Sequence, residues 1–398
     1  MATELLARAA ERWGTPIYVT DTDRVAANLA AWRVAFPDAL IAYAVKANPD
    51  PALLRRLVRD GAGCEVVNAV ELALAQRAGC PPERLVMDGV GKTDDDLRAA
   101  MAAGALINVE SLDELGSLLE LGGEPRIGIR LNPALDPGTH RHLATGAAGS
   151  KFGVAMGDLP VALDLLRSAG AELRALGAHI GSDVASVEPF SALVRVLADA
   201  SEGLPGVAID VGGGVRDADP VRLAALASAV REALGSRPQI LEPGRSLVAD
   251  AGWLVTRVVR VQPRDRVVHL VADAGMSELL RPALYGAEHP VTLLADGAPL
   301  TLDGRTPILS GPVCEAGDVL VHDLGRHLTP DQLARGGRGA LLAIERVGAY
   351  GASMASNYNG RLRPAEAIIE DGEPRLSRRR ETLDDLYRRD AASPDGRG

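Results

Sequence analysis

Lysine is almost missing from this chain. Of 43 basic residues only Lys46, Lys92 and Lys151 are lysine, and arginine supplies the rest. The two are interchangeable on a solvated surface, but a guanidinium cannot lose its proton and attack a carbonyl, so amine chemistry has few possible seats. Cysteine is scarce too: Cys64, Cys80 and Cys314 have no metal-ligand spacing and make no disulfide framework, which fits a reducing cytoplasm. No segment reaches the roughly 18 consecutive apolar residues of a membrane span. The N-terminal MATELLARAAERWGTP reads as a charged amphipathic helix and not as a signal peptide. A basic stripe is also absent. The net charge is -10, and the one cationic run, Arg378 to Arg380, is followed at once by Glu381, Asp384 and Asp385, so a solvated, paired surface is expected there and nucleic-acid binding is not.

What is present is a regular alternation. Apolar, β-branched runs occur at 40–45 (LIAYAV), 64–67 (CEVV), 85–88 (LVMD), 105–109 (ALINV), 126–131 (RIGIRL), 173–180 (LRALGAHI), 207–211 (VAIDV) and 239–242 (QILE), separated by helical patterns. Helix starts are signalled by Asp50 with Pro51, by Thr93, and by Ser111 with Glu114 three residues on as a capping box. Gly61, Gly79 and Gly104 follow helices at the position where a left-handed residue ends them. Eight such units predict a TIM barrel, with a doubly wound sheet as the competitor. After about residue 250 alternating strands such as WLVTRVVRVQ and RVVHLVADAG take over. The expected architecture is a barrel over residues 22–252, then a mostly-β domain over 253–390 with which residues 1–21 pack, and a flexible tail at 391–398.

A TIM barrel carries its chemistry at the C-terminal ends of its strands. Those ends hold Lys46, Glu65 with Asn68, Asp88, Asn108, Arg130 with Asn132, His179, Gly212 to Gly214, and Glu242. An amine in such a ring could form a Schiff base with pyridoxal phosphate or with a carbonyl substrate. The glycine triplet after the seventh strand and EPGR (242–245) after the eighth sit where barrels bind phosphate, although tight turning alone accounts for a glycine triplet equally well.

These segments, with others along nearly the whole chain, carry a resemblance. YAVKAN, DGVGKT (88–93), NVESLDEL (108–115), RLNP (130–133), TG with KFG (145–153), HIGS (179–182), GGG, EPGR, DAGM (273–276), RPALYGAEHP (281–290), GPVCEAGD (311–318) and GAYGASMASNYNGR (348–361) resemble the fold-type III pyridoxal-phosphate decarboxylases. Within that family they are most similar to its diaminopimelate decarboxylase branch. The resemblance implies an alanine racemase-like barrel with a C-terminal β domain and pyridoxal 5'-phosphate as cofactor, with no metal. Lys46 would hold the cofactor, His179 would stack on its ring, and Glu242 would pair with the ring nitrogen. Ser182, Gly213, Gly214, Gly244 and Tyr350 would hold the phosphate, with Arg245 beside them. Arg245, Arg281, Tyr285 and Tyr350 would bind substrate, the arginines through its carboxylates. Cys314, as proton donor, and Glu315, as ligand of the substrate amine, would come from the partner subunit, which makes the protein a homodimer with shared sites.

Three segments depart from the family pattern: EVVNAVEL (65–72), VRDADP (215–220), and Arg346 in ERV. They leave the substrate open between meso-2,6-diaminoheptanedioate, converted to L-lysine and CO2, and another amino acid, acidic or tethered to a carrier protein. Arg245 and Arg281 argue against ornithine and arginine, and Glu242 argues against a racemase, in which the ring nitrogen faces arginine. Retention of Lys46 and Cys314 argues against a non-catalytic decoy. Outside its motif Cys314 would read as a small buried hydrophobe, and Tyr358 in SNYN reads as structural packing at the domain junction.

Overall fold

The computed structural model of the chain describes residues 2–135, 146 and 149–388. Thr145 and the expected tail at 391–398 lie outside the described residues. The chain divides into two compact units, Arg24–Ala249 and a second built from Met1–Asp23 with Asp250–Gly398.

In the first unit all eight apolar runs become parallel strands: β1 (Leu40–Ala44), β2 (Gly63–Val66), β3 (Leu85–Met87), β4 (Leu106–Val109), β5 (Arg126–Asn132), β6 (Leu173–Ala178), β7 (Ala208–Asp210) and β8 (Gln239–Leu241). Each pairs with its sequence neighbours, β4 with β5 from Leu106 against Arg126 to Val109 against Ile129, and β8 pairs with β1 at Ile240 against Leu40. The sheet therefore closes, which excludes the doubly wound alternative. Closure buries both faces, so the strands read as continuous apolar runs. Ala42, Val86, Leu106, Ala175 and Ile240 share one core cluster.

The helix starts follow local chemistry. The Asp50 carboxylate accepts the N–H groups of Ala52 and Leu53, and Thr93 forms a reciprocal capping box with Asp96. Gly61, Gly79 and Gly104 take left-handed φ of 90°, 86° and 67°. The capping box expected at Ser111 forms only by half. Ser111 Oγ accepts the Glu114 N–H, but the Glu114 carboxylate turns away to the Glu110 N–H and to Lys92 at 2.7 Å.

That diversion explains one of the three lysines. The Lys92 side chain is fully buried, and its ammonium meets Gly89 O at 2.7 Å, Asn108 O at 2.9 Å and Glu114 Oε1 at 2.7 Å. Three acceptors converge on three rotatable donors, a geometry that suits an ammonium and not a planar guanidinium. Lys92 ties the loop after β3 to the end of β4 and to the helix Leu112–Glu120. Lys151 is exposed and lies over the Phe152 ring.

The second unit is built on the strand Ile17–Asp21, antiparallel to Gly252–Pro263 and parallel to Ala365–Glu370. The sheet continues through Val267–Ala272, Thr306–Ser310 and Val319–Val321 on one side and Glu373–Arg378 on the other. The helix Ala2–Trp13 buries Leu5, Leu6, Ala9 and Ala10 in a core shared with Ile17, Val255 and Ala367. The Arg378 to Arg380 run is paired: Arg378 with Glu366, Arg379 with Asp385, and Arg380 with the Pro16 carbonyl. Among the described residues no helix is long and apolar enough to cross a membrane.

Lys92→Met keeps the stem of the side chain but strands the Glu114 carboxylate beside two unmet carbonyls. Unfolding of the purified variant should show a loss of about 3 kcal/mol or more, the scale of a broken buried ion pair. Lys92→Arg should also destabilise, and wild-type stability in both variants would contradict this account.

Candidate active site

The 3-10 turn Val45–Ala47 that follows β1 places Lys46 at the C-terminal rim of the barrel. Its ammonium lies 2.5 Å from Glu65 Oε2 on β2; the lysine side chain is 38% exposed and the glutamate is fully buried. One end of the pair therefore faces open space while the other is locked in the wall. Burial pushes the Glu65 carboxyl up to about 7 against the pull of Lys46.

Around the rim, Arg130 Nη1 on β5 bridges Asp88 at 3.0 Å and Glu110 at 3.2 Å, all three buried. Burial works to raise Asp88, but Arg130, Lys92 and Lys46 overcome it and hold the carboxyl below its ordinary range. Glu110 is pushed by burial to about 7 in spite of Arg130, and its Oε2 accepts the Gly153 N–H. His179, just beyond β6, accepts the Gly213 N–H on Nδ1 at 2.9 Å. Burial first, then the charges of Arg130 and Lys46, lower it to about 3, so the ring is neutral. Its other nitrogen, Nε2, then carries the proton.

Glu242 follows β8 and is buried. Burial, then Asp210, Asp88 and Glu65, push its carboxyl well above the ordinary value. Its Oε1 has no hydrogen-bond partner, and neither has Glu65 Oε1. A buried polar atom without a partner is costly, and a ligand that supplies a donor removes the cost. Asp210, the last residue of β7, is tied to Asn108 Nδ2 at 3.0 Å and to the Gly212 N–H at 2.9 Å.

The glycine triplet is required by backbone packing as much as by any ligand. A Cβ on Gly213 would lie 2.2 Å from Glu242 O, and one on Gly214 would lie 2.3 Å from Gly181 O. The N–H groups of Gly212 and Gly213 go to Asp210 and His179. Beside the triplet, Ser182 Oγ accepts from Arg245 Nε at 3.3 Å and Nη2 at 3.1 Å. Gly244 precedes Arg245, with room there for no side chain: a Cβ would meet Ala44 and Ala47 at about 3 Å. Asn28 and Trp32 pin the following turn through Leu247 O and Ser246 Oγ.

The first unit thus brings Lys46, Glu65, Asp88, Asn108, Arg130, His179, the triplet and Glu242 onto one rim, with Ser182, Gly244 and Arg245 alongside. Two residues read as rim chemistry do other work. Asn68 is the N-cap of the helix Ala69–Arg77 through the Glu71 N–H, and Asn132 organises its loop through Ser150, Phe152 and Ala134. The sequence reading missed Asp210 and Glu110 as members of the cluster. A charged residue inside the apolar run VAIDV was the available signal for Asp210. The departure at 215–220 is absorbed by a strand-like bridge, Val184 to Val215, and by the Arg216–Asp183 ion pair at 2.9 Å. Arg346 is exposed, with φ 58°.

In the second unit Arg281 is buried at the start of the helix Arg281–Tyr285, its guanidinium 5.5 Å from the Tyr285 ring centroid. Cys314 and Glu315 are adjacent and exposed. Their loop is held by Asp318, which accepts the N–H groups of Met276 at 2.6 Å and Val313 at 2.7 Å. Tyr350 takes a left-handed φ of 56°. Tyr358 is 45% exposed, and its hydroxyl reaches Glu315 Oε2.

Comparison with known proteins agrees with this geometry. Residues 22–249 match the family model for the pyridoxal-binding domain of pyridoxal-dependent decarboxylases. The diaminopimelate decarboxylase of Deinococcus radiodurans is 42% identical over 391 residues, covering 97% of this chain and 98% of that one. That of Aquifex aeolicus is 37% identical, covering 95% and 92%. The crystal structure of the Helicobacter pylori diaminopimelate decarboxylase complexed with L-lysine superposes with a TM-score of 0.86 at 33% identity, covering 94% of this chain and 96% of that one. The Vibrio vulnificus lysine/ornithine decarboxylase, at 23% identity and a TM-score of 0.79, shares the fold. The buried carboxylates around a half-exposed lysine at the barrel rim are therefore those of a pyridoxal 5'-phosphate enzyme, and the chain belongs to the pyridoxal-dependent decarboxylases, in their diaminopimelate decarboxylase branch.

Proposed function

We propose that this chain decarboxylates meso-2,6-diaminoheptanedioate to L-lysine and CO2. The observation that carries the reading is the convergence of Lys46, His179 and the unpartnered Oε1 of buried Glu242 on one rim. Pyridoxal phosphate, when bound, supplies an electron sink for the pair left behind by CO2. Lys46 would be the amine that anchors it, and Glu65, 2.5 Å from its ammonium, would balance that charge. Glu242 would offer its open oxygen to the ring nitrogen and hold a proton there. Neutral His179, its Nδ1 fixed by Gly213, presents a flat face for stacking. Ser182, Gly213, Gly214, Gly244, Arg245 and Tyr350 accommodate the phosphate. Arg281, with Tyr285 and Arg245, binds the carboxylates of the substrate.

The remaining groups are proposed to come from a second copy. The partner subunit's Cys314 delivers a proton to the carbon that lost CO2, and the partner subunit's Glu315 holds the substrate amine. The protein is then a homodimer, and its free thiols suit a reducing cytoplasm.

The reading is tested by supplying a panel of amino acids and measuring CO2 and L-lysine. Turnover of the dicarboxylic diamino acid with L-lysine as product is expected, and exclusive turnover of a different amino acid would overturn it. Borohydride should fix the cofactor onto Lys46, as peptide mapping will reveal; recovery on Lys92 or Lys151 would contradict the assignment. Glu242→Gln should lower kcat by at least about a hundredfold, the scale of one strong electrostatic contact in a transition state. It should also change stability with pH. Because the folded carboxyl lies above its ordinary value, the cost of charging it is absent at low pH and grows as pH rises. In the cofactor-free protein the variant should therefore gain Tm over wild type at about pH 8 and little at about pH 5. An equal difference at both would count against a buried, raised Glu242.

The shared site has its own test. Co-expressed Lys46→Ala and Cys314→Ala subunits give about half heterodimers, each with one intact site, so activity should recover to roughly a quarter of wild type. Heterodimers isolated through two tags but without activity would put both residues of each site on one chain.

A further inference from the structure

Cys314 and Glu315 lie on an exposed loop, where a thiol and a carboxylate ordinarily sample several directions. Here each is held by one of two consecutive residues of a second loop. The Cys314 N–H donates to Asn359 Oδ1 at 2.8 Å, and the Tyr358 hydroxyl donates to Glu315 Oε2 at 3.3 Å. Asn359 adopts φ 57° and ψ 24°, a left-handed conformation that glycine would take without strain. Glycine would lose the acceptor. Asparagine is among the few residues that tolerate this backbone and also offer a side-chain oxygen.

The clamping loop is itself fastened. The Ser356 N–H meets Ser277 O at 2.9 Å, and Asn357 Nδ2 donates to Arg361 O at 2.9 Å and Glu381 Oε2 at 2.6 Å. Arg361 is paired at 3.1 Å with buried Glu278. On the opposite side of the Cys314 loop, Asp318 holds Val313 and Met276. The neighbouring Glu315 charge, and then the hydrogen bond to it, raise the Tyr358 phenol, so its hydroxyl stays a donor throughout the neutral range.

We propose that Asn359 and Tyr358 are positioning residues for the decarboxylation: Asn359 fixes the main chain at Cys314 and so the direction of its thiol, and Tyr358 fixes the carboxylate of Glu315 where it meets the substrate amine. This rests on the roles proposed above for Cys314 and Glu315. The two residues then act on different parts of the reaction. Asn359 acts on proton delivery, and Tyr358 acts on substrate binding.

The experiment uses the holoenzyme with Asn359→Gly, which keeps the backbone and removes the acceptor, and with Tyr358→Phe, which removes the hydroxyl. Steady-state kinetics are measured beside the rate of Cys314 alkylation by iodoacetamide as a function of pH, read by mass spectrometry. Asn359→Gly should lower kcat about five- to tenfold with KM little changed, the worth of one hydrogen bond, and should alter the alkylation profile of Cys314. Tyr358→Phe should raise KM by a similar factor while leaving kcat and alkylation nearly unchanged. Asn359→Asp, which retains both acceptor and left-handed backbone, should keep kcat within about threefold of wild type. Kinetics and alkylation within about twofold of wild type in both Asn359→Gly and Tyr358→Phe, a margin smaller than one lost hydrogen bond, would overturn the proposal. Should Asn359→Gly fail to fold, Tyr358→Phe decides alone, since Tyr358 is an exposed side chain. Cys314→Ala and Glu315→Ala run alongside separate the two failures: inactive Ala variants with indifferent clamp variants remove only the clamp, whereas fully active Ala variants remove the roles on which it rests.

Discussion

The contact between the Lys46 ammonium and the buried Glu65 carboxylate sets the terms for everything around it. A lysine at a barrel rim must be charged or neutral at will, and a carboxylate with no solvent of its own can stay ionised only while a cation is near. The rim extends this arrangement. Glu65, Asp88, Glu110, Asp210 and Glu242 outnumber Lys46 and Arg130, so the acids cannot all be charged together in a low-dielectric space. Asp88, wedged among Arg130, Lys92 and Lys46, is held below its ordinary range; burial pushes the others upward. An excess of acids over bases leaves Glu242 short of a cationic partner. That is the place proposed for a protonated ring nitrogen, and the same shortage would make an empty site costly at alkaline pH.

The glycine-triplet side of the rim depends on close backbone approach. Strands β6, β7 and β8 end so near each other that side chains at Gly213 and Gly214 would strike neighbouring carbonyls. Removing the side chains lets His179, the triplet and Glu242 form one hydrogen-bonded surface, with Gly213 orienting the imidazole and Gly212 fastened to Asp210. The second unit solves a different problem. The groups proposed to act from it, Cys314 and Glu315, sit on loops, where exposure is easy and order is not. Order comes from buried anchors beneath the loops, Asp318 and Glu278, and from the clamp at Asn359 and Tyr358.

Much of this was legible because it is local. Eight apolar runs separated by capped helices announced eight strands, since a parallel barrel strand buries both faces and an N-cap needs only its own next few residues. The rarity of lysine singled out Lys46, because an amine is not replaceable where a guanidinium cannot react. Motif resemblance suggested the roles proposed for His179, Glu242, Cys314 and Glu315.

What only the tertiary structure decided involves partners far apart in sequence. Asp210 and Asn108 are 102 residues apart and meet only when the sheet closes. Glu114 was read as half of a capping box, but a lysine brought in by the adjacent βα loop offered it a better partner. Lys92 was indistinguishable from an accident of composition until three acceptors converged on it. Tyr358 read as packing at the domain junction, and only the structure placed its hydroxyl on Glu315. Periodicity and caps fix which segments are strands and helices. Which charges are buried together, and so which of them are pushed toward keeping their protons, is set by the closed barrel and the loops at its rim, where side chains distant in the chain share one small volume.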